Sequence, residues 1–319
     1  MKEYLNLCKK VLQEGYYKEP SRKGLPPTIE LFGESLKFSL KDSMLPILTC
    51  KKMPFKTILT ELLWFLRGDY NIQYLHKHDC HIWDQDGYRY YLEANKNDPS
   101  ILTFEEYSKA SHNISGYMGK IYGYQWRNWE GEFDQIYNLV KGLIENPFGR
   151  YHVVTAWNPN DFLNHPKNAA LPACHMIFQC NVRVDYKTQE KILDLSMTQR
   201  SCDLFLGVPF NITSYCLLMY ILCHITGYKP GDFIWNGNSV HIYVPHIPYV
   251  KVLISNNTYG LPYISMEDVP KFDIERLSDK EYFDNYIISL DVSQFKLQRY
   301  LCESSLKAPL FTGLFESWK

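Results

Sequence analysis

Two segments near the N-terminus place apolar residues at the spacing of an amphipathic helix. In the first, Leu5, Cys8 and Val11 recur every three or four positions, and the pattern stops at Gly15. The second covers 55–66 and ends just before Gly68. Because a glycine stands where each pattern ends, both segments are predicted to be helices.

Alternation of apolar and polar positions predicts the strands. It occurs in 29–31 and again in 36–40, on either side of Gly33 and Glu34, which predicts a β-hairpin. Further strands are predicted at 152–157, 174–185, 192–198 and 232–243, and the polar residues 186–190 predict the turn of a second hairpin. Several of these strands should therefore pair in one sheet.

The longest apolar run, 210–226, directly follows Pro209, a residue that suits a helix start. It contains Asn211, Thr213, Ser214 and His224, so it is too short and too polar to span a membrane. We expect a helix buried in a protein core.

The order of these elements is irregular, which is typical of an α+β fold rather than of repeated βαβ units. Residues 88–115 are polar and aperiodic, and they predict a surface insertion rather than a linker. We therefore expect a single domain over 1–319, in which a large mixed β-sheet packs against helices.

Charge and cysteine content narrow the partners and the compartment. The 34 basic and 35 acidic side chains give a net charge of −1, which argues against nucleic acid as the main ligand and against a membrane surface. The nine cysteines form no Cys-x-x-Cys pair, which favours free thiols in a reducing compartment. The charged N-terminal residues do not resemble a signal peptide. The sequence predicts a cytoplasmic protein.

Cys174 is the first candidate for chemistry, because a thiolate beside a cation is a strong nucleophile. Its neighbour His175 should point to the opposite face of the strand, so the activating charge must come from elsewhere. Arg200 precedes Asp203 and Asn211 in a segment expected to be a loop before a helix N-terminus, where anions are favoured. The alternatives are a buried structural cysteine and an ordinary salt-bridged loop.

Glu61 lies on the apolar face of the predicted helix 55–66. Burial raises the pKa of a carboxyl group, so Glu61 is either paired structurally or serves as a general acid or base. Trp83, Tyr122, His241 and Tyr243 could each belong to the core or to the rim of a site. Neither a metal-ligand spacing nor a glycine-rich phosphate loop occurs in the sequence.

Six segments together resemble the folate-dependent thymidylate synthases in order and spacing. They are ELLWFLRG, IYGYQWR, TAWNP, LPACHM, QRSCDLFLGVPFNI and HIY, and the run 199–211 is the most specific. The resemblance extends from about residue 4 to residue 309. It implies that family's fold, in which the sheet forms a back-to-back homodimer interface, and the methylation of dUMP to dTMP by 5,10-methylenetetrahydrofolate without a metal.

The resemblance also implies roles for individual residues. Cys174 matches the nucleophile, Glu61 and Tyr122 match the groups that move protons, and Arg200, Asp203 and Asn211 complete the catalytic set. The implied nucleotide-binding residues are Arg22, Arg150 (acting across the dimer), His175, Gln199, Arg200, Ser201, Asn211, His241 and Tyr243. The implied folate-binding residues are Lys51, Ile82, Trp83, Leu171, Asp203, Gly207 and Phe210.

Four features depart from the family pattern. Tyr151 stands where a second arginine is usual, Asp86 where a tryptophan is common, and Ser239 where an aspartate is usual. Residues 310–319 extend past the usual C-terminus. Ser239 resembles the deoxypyrimidine hydroxymethylases, so hydroxymethylation of deoxyuridylate, or less readily of deoxycytidylate, is the alternative reaction. An inactive nucleotide- or RNA-binding regulator is a third reading, and a Cys-His hydrolase would need a base near Cys174.

Overall fold

A computed structural model describes residues 1–20, 24–110, 116–163 and 168–311. The helices are α1 (Lys2–Glu14), α2 (Phe55–Leu66), α3 (Gln73–Lys77), α4 (Asp84–Ala94), α5 (Phe104–Ala110), α6 (Tyr122–Arg127), α7 (Gln135–Glu145), α8 (Pro159–Leu163), α9 (Gly207–Thr226), α10 (Ile247–Ser255) and α11 (Lys280–Ser289). The strands are β1 (Tyr16–Lys18), β2 (Thr28–Ser39), β3 (Val153–Thr155), β4 (His175–Val184), β5 (Lys191–Asp203), β6 (Lys229–Tyr243), β7 (Tyr263–Ser265) and β8 (Lys296–Gln298).

The main sheet has the strand order β1-β2-β6-β5-β4-β3. β5 and β6 are parallel, and the other neighbouring strands are antiparallel, so the sheet is mixed. β7 and β8 form a separate two-stranded sheet. Helices pack over the main sheet, which confirms the predicted single α+β domain with a large mixed sheet.

The apolar helix α9 forms the centre of the core. Leu217, Leu218 and Met219 are fully buried, and α9 contacts β5, β6 and α2. By length and composition α9 could cross a membrane, but 83% of its apolar window is buried inside the protein. The prediction of a buried core helix is confirmed, although α9 begins at Gly207 and therefore includes Pro209 in its first turn.

The predicted hairpin at 29–40 is wrong. β2 is one continuous strand that pairs with β6 in an unbroken register, with Phe32 opposite Ser239 and Glu34 opposite Gly237. The backbone of Gly33 adopts a φ of +81°, which only glycine tolerates readily, and the strand continues through it. The break in alternation at Gly33 therefore marks a local distortion of a strand and not a turn.

The expectation of a loop at 199–203 is also wrong, because β5 continues through Gln199 to Asp203. β5 and β6 run parallel, with Ser201 opposite Ser239 and Asp203 opposite His241, so their carboxyl ends meet at one edge of the sheet. The segment predicted as an insertion contains the end of α4 and the helix α5, where Tyr88 and Tyr107 are buried. Its status as an insertion relative to the family stays a prediction.

Candidate active site

A cavity of about 890 Å³ opens where β5 and β6 end and α9 begins. This volume lies near the upper end of the range for small-molecule sites. The structure brings together here most of the side chains that the sequence singled out: Lys51, Glu61, Ile82, Trp83, Tyr122, Leu171, Cys174, His175, Gln199, Ser201, Asp203, Gly207, Phe210, Asn211, His241 and Tyr243.

Cys174 lies one residue before β4 and is half-buried, with its thiol free of any disulfide. Its backbone is held on two sides. The Cys174 N–H donates to the Tyr122 hydroxyl at 2.7 Å, and the Arg200 N–H donates to the Cys174 carbonyl at 2.8 Å. The position of the thiol in the cavity is therefore fixed by its own main chain.

Arg200 brings a positive charge to the segment that leads into Cys174. Its guanidinium donates from Nε to the Ala173 carbonyl at 2.8 Å and from Nη2 to the Pro172 carbonyl at 2.9 Å. The guanidinium carbon also lies 5.3 Å from the centre of the Trp157 ring, which is a cation–π distance. In this geometry Arg200 supports the chain beside the thiol and does not line the cavity.

His175 and Tyr122 form a stacked pair beside Cys174, with ring centres 3.9 Å apart. The Nδ1 atom of His175 also lies 2.9 Å from the Tyr215 hydroxyl. Burial lowers the pKa of His175 to about 3, so its ring is neutral and cannot supply the activating charge. Burial also holds the pKa of Tyr122 well above its usual range, with the nearby Cys174 as a further cause, so the phenol keeps its proton.

Glu61 is on α2, and its carboxylate accepts a hydrogen bond from the Trp83 indole N–H at 2.7 Å. The residue is 8% exposed. Burial raises the pKa of this carboxyl to about 7, and the Trp83 hydrogen bond only partly opposes the shift. Glu61 can therefore exchange a proton near neutral pH, as a general acid–base group must.

Asn211 is oriented by a chain of hydrogen bonds that begins in the core. The Trp235 indole N–H, which can only donate, reaches Gln199 Oε1 at 2.9 Å. Gln199 Nε2 must then be a donor, and it lies 3.0 Å from Asn211 Oδ1. The carboxamide of Asn211 is thereby fixed, and it can offer its N–H groups and a remaining lone pair of Oδ1 to a ligand. Trp235 was not predicted from the sequence.

His241, Tyr243 and Ser201 line the neighbouring wall on β6 and β5. His241 is buried, and its Nδ1 lies 3.1 Å from the Ser239 carbonyl. The rings of His241 and Tyr243 meet edge to face at 5.2 Å. This wall offers hydroxyl and imidazole groups at the edge of the sheet.

Another part of the lining is more apolar and includes Ile82, Trp83, Leu171 and Phe210. It also includes the charged residues Asp203, Lys51 and Asp86. Asp203 caps the turn before α9, because its carboxylate accepts a hydrogen bond from the Phe205 N–H at 3.0 Å. Lys51 Nζ donates to the Phe205 carbonyl at 2.7 Å, and burial lowers the pKa of Lys51 to about 8. Asp86 forms an ion pair with Arg89.

The C-terminal segment 305–311 closes one side of the cavity and has no regular secondary structure. The ring of Phe311 packs against His246 at 5.0 Å and Tyr243 at 5.1 Å. Sequence reasoning noted the extra C-terminal residues but did not place Phe311 in the site. A lone aromatic residue after an Ala-Pro pair carries no signal of that role.

Two of the three predicted phosphate-binding residues stand apart from the cavity wall. Arg200 lies behind Cys174, and Arg150 is exposed just before β3. Tyr151, which follows it, is 92% exposed. Arg22 lies outside the described residues.

The sequence matches the family described as Thymidylate synthase over residues 2–312. A thymidylate synthase of Listeria monocytogenes serotype 4a (strain HCC23) is 35% identical over 97% of this chain and 99% of its own length. One of Phytoplasma mali (strain AT) is 36% identical over 88% of this chain and 96% of its own length. A thymidylate synthase of Listeria monocytogenes serotype 4b (strain CLIP80459) is 36% identical over 97% of this chain and 99% of its own length.

Proposed function

The chain belongs to the thymidylate synthase family, and from this premise we propose that it is a methyltransferase that converts dUMP to dTMP. The one-carbon unit and the hydride come from 5,10-methylenetetrahydrofolate, which leaves as dihydrofolate. The observation that carries the proposal is that one cavity holds both the Cys174 thiol and an Asn211 carboxamide whose orientation is fixed by Gln199.

Asn211 selects the pyrimidine. Uracil presents an acceptor at O4 and a donor at N3, and a carboxamide can satisfy both with its N–H and its oxygen. Cytosine presents the reverse pattern, which would leave buried polar groups unpaired. His241 and Tyr243 hold the deoxyribose hydroxyl on the adjacent wall, with His175, Gln199 and Ser201 around the nucleotide.

Cys174 begins the reaction by adding its thiolate to C6 of the pyrimidine, which makes C5 nucleophilic. Arg200 supplies the positive field that favours the thiolate, and it binds the nucleotide phosphate by releasing one of its carbonyl contacts. After the one-carbon unit has joined C5, the C5 proton leaves, the folate departs from the resulting methylene group and returns a hydride to it, and the thiolate leaves C6 to restore the ring.

Glu61 and Tyr122 handle the protons. The raised pKa of Glu61 allows its carboxyl to take up and release a proton through water at neutral pH. The neutral Tyr122 hydroxyl accepts a hydrogen bond from the Cys174 N–H. It can accept the C5 proton only if it gives its own proton to another acceptor at the same time. Both residues therefore act as relays.

The folate lies on the apolar wall, where aromatic and aliphatic side chains suit a flat ring system. Asp203 offers a carboxylate to the nitrogens of the pterin, and Lys51 lies nearby. Trp83 packs beside the reacting carbon and excludes water that would otherwise capture it. The remaining residues of this wall are Ile82, Leu171, Gly207 and Phe210.

We also infer a homodimer that forms through the open face of the main sheet. Phe32, Val153 and Ile177 are 71%, 39% and 38% exposed on its strands, and such apolar side chains favour association. Arg150 then reaches the phosphate in the partner's cavity, with Arg22 as a phosphate ligand within the chain. All nine cysteines are free thiols, which supports a reducing, cytoplasmic location.

A product assay tests the proposed reaction. Purified protein with dUMP and methylenetetrahydrofolate should form dihydrofolate, followed by absorbance, and dTMP, identified by mass. The Cys174→Ser variant, which lacks the nucleophile, should form neither product. A 5-hydroxymethyl nucleotide with tetrahydrofolate would make the chain a hydroxymethylase, and no product with dUMP would refute the catalytic proposal.

A further inference from the structure

A second cluster of polar side chains lies outside the cavity, between α3 and α4. His76 belongs to α3, Asp84 is the first residue of α4, and His81 lies in the segment that joins the two helices. One ring nitrogen of each histidine and one carboxylate oxygen of Asp84 all lie within 4.8 Å of one another. The sequence did not reveal this cluster, because its ligands come from separate elements.

Asp84 bridges the two imidazoles. One of its oxygens lies 2.6 Å from His76 Nε2 and the other lies 2.9 Å from His81 Nδ1. The two rings themselves are 4.8 Å apart, between centres. The two imidazoles are therefore held by opposite oxygens of one carboxylate between the helices.

A bound cation would take the place of the shared protons, and the 2.6 Å and 2.9 Å contacts would then lengthen. Zinc holds imidazole nitrogen and carboxylate oxygen at about 2.0–2.2 Å, which places tetrahedral ligands about 3.3–3.5 Å apart. The side chains of His76 and Asp84 are 4% and 8% exposed, whereas that of His81 is 55% exposed. Because the His81 side chain lies mostly at the surface, its ring can shift to shorten the longest separation.

The chemistry around the three ligands also suits zinc. Two imidazoles and one carboxylate form a three-ligand set that leaves the fourth position to water. The other ring nitrogen of His81 lies 3.5 Å from the carboxylate of Asp79, which is 92% exposed. A carboxylate behind a ligating histidine is the usual outer partner at metal sites, because it fixes the ring and its tautomer.

We propose that His76, His81 and Asp84 form a Zn²⁺ site that joins α3 to α4, with water as the fourth ligand. The ion lies outside the catalytic cavity, because none of its three ligands lines that cavity. It does act on that cavity, since His81 and Asp84 flank Ile82 and Trp83, and Trp83 bonds to Glu61. Bound zinc therefore holds the segment that carries Trp83.

The alternative is that Asp84 simply accepts a hydrogen bond from each imidazole and joins the helices without an ion. Direct binding separates the two. Metal-free protein is titrated with Zn²⁺ alone in a calorimeter, in competition with a chelator, in a Cys174→Ser background that removes the half-buried active-site thiol. We expect one ion per chain.

The deciding variant is His81→Asn, because the exposed ring can be replaced without disturbing the core. Loss of a residue that only hydrogen-bonds to a metal ligand weakens metal binding about 10- to 100-fold. Loss of the ligand His81 itself should therefore weaken Zn²⁺ binding by at least about 100-fold. Asp84→Asn should do the same if it folds. His78→Asn, a neighbouring histidine outside the cluster, is the matched control and should bind as the parent protein does.

The absorption spectrum of bound Co²⁺ distinguishes binding at this site from binding to the remaining cysteine thiols. Co²⁺ bound by nitrogen and oxygen shows visible bands without the intense near-ultraviolet charge transfer that thiolate ligands produce. Zn²⁺ should also raise the melting temperature of the parent and of His78→Asn, but not of His81→Asn. The proposal is overturned if no stoichiometric ion binds, if His81→Asn binds as tightly as the parent, or if the cobalt spectrum is that of thiolate.

Discussion

The two walls of the cavity are built in different ways. The proposed nucleotide wall consists of Gln199, Ser201, Asn211, His241 and Tyr243, which stand on two parallel strands and on α9. The proposed cofactor wall consists of Ile82, Trp83, Leu171 and Phe210, together with the segment 305–311, and much of it lies outside regular structure. Ile82 is 37% exposed, whereas Gln199 is 1% exposed.

This difference indicates which part of the site is rigid and which part can move. On the nucleotide wall, Trp235, Gln199 and Asn211 hold one another in a single arrangement, so the hydrogen-bonding pattern that we propose for reading uracil exists before the ligand arrives. On the cofactor wall the chain segments carry few hydrogen bonds of regular structure and can close over a second substrate. We expect substitutions on the first wall to change selectivity and turnover, and those on the second to change mainly the apparent affinity for folate.

Glu61→Gln should have the largest effect, because Glu61 lies where the walls meet and bonds to Trp83. Removing a general acid–base group lowers kcat by about 10²- to 10³-fold. The pH profile of kcat should also lose an inflection near pH 7, the pKa to which burial raises this carboxyl. Glu132→Gln, at an exposed position, is the control. Unchanged kcat, or an unchanged inflection, would contradict the assignment.

The same variant has a consequence for stability. The pKa of Glu61 is about 7 in the folded protein and 4.5 in the unfolded chain, so folding favours the protonated form. The contribution of Glu61 to stability is therefore fully present below about pH 4.5 and is lost as the pH rises from there through 7, by up to about 3 kcal/mol. Glu61→Gln should exceed the parent in unfolding free energy at pH 8 and match it at pH 4. Equal differences at both pH values would contradict this linkage.

Asn211→Asp tests the nucleotide wall. Gln199 can still donate to the new carboxylate, but the donor for O4 of uracil is lost, so kcat/KM for dUMP should fall by about 10²-fold. The ratio of dCMP to dUMP turnover should rise, because an exocyclic amino group now finds an acceptor. Asn236→Asp, at a half-buried position that bonds to Ser196, is the matched control. An unchanged substrate ratio would mean that Asn211 does not read the base.

Sequence periodicity predicted the elements whose contacts repeat locally. α2 was predicted at its observed bounds, and β4 and α9 within three residues, because long apolar patterns determine them. β2 was misread as a hairpin, since its continuity depends on register with β6, about 200 residues away. The end of β5 was misread as a loop, because its polar active-site residues interrupt the alternation.

The site divides in the same way. Cys174, Glu61 and Asn211 stood in motifs that could be matched to the family, and all three line the cavity. Trp235 and Phe311 were missed because their roles exist only as contacts with residues distant in sequence. The His76–His81–Asp84 cluster likewise forms only when α3 meets α4. Sequence thus predicts the reacting groups better than the groups that orient them.

Phe311→Ala should have the smallest effect, and it tests the cofactor wall. Aromatic pairs contribute about 0.5–1.5 kcal/mol, so loss of the contacts with His246 and Tyr243 should raise KM for the folate about 2- to 12-fold. KM for dUMP should change less than twofold, because the hydrogen bonds that orient Asn211 come from Gln199 and, through it, from Trp235. Leu301→Ala, at a 67% exposed position in the same C-terminal part of the chain, is the control. A larger change in KM for dUMP than for folate would show that Phe311 supports Tyr243, and the two walls would then have to be treated as one unit.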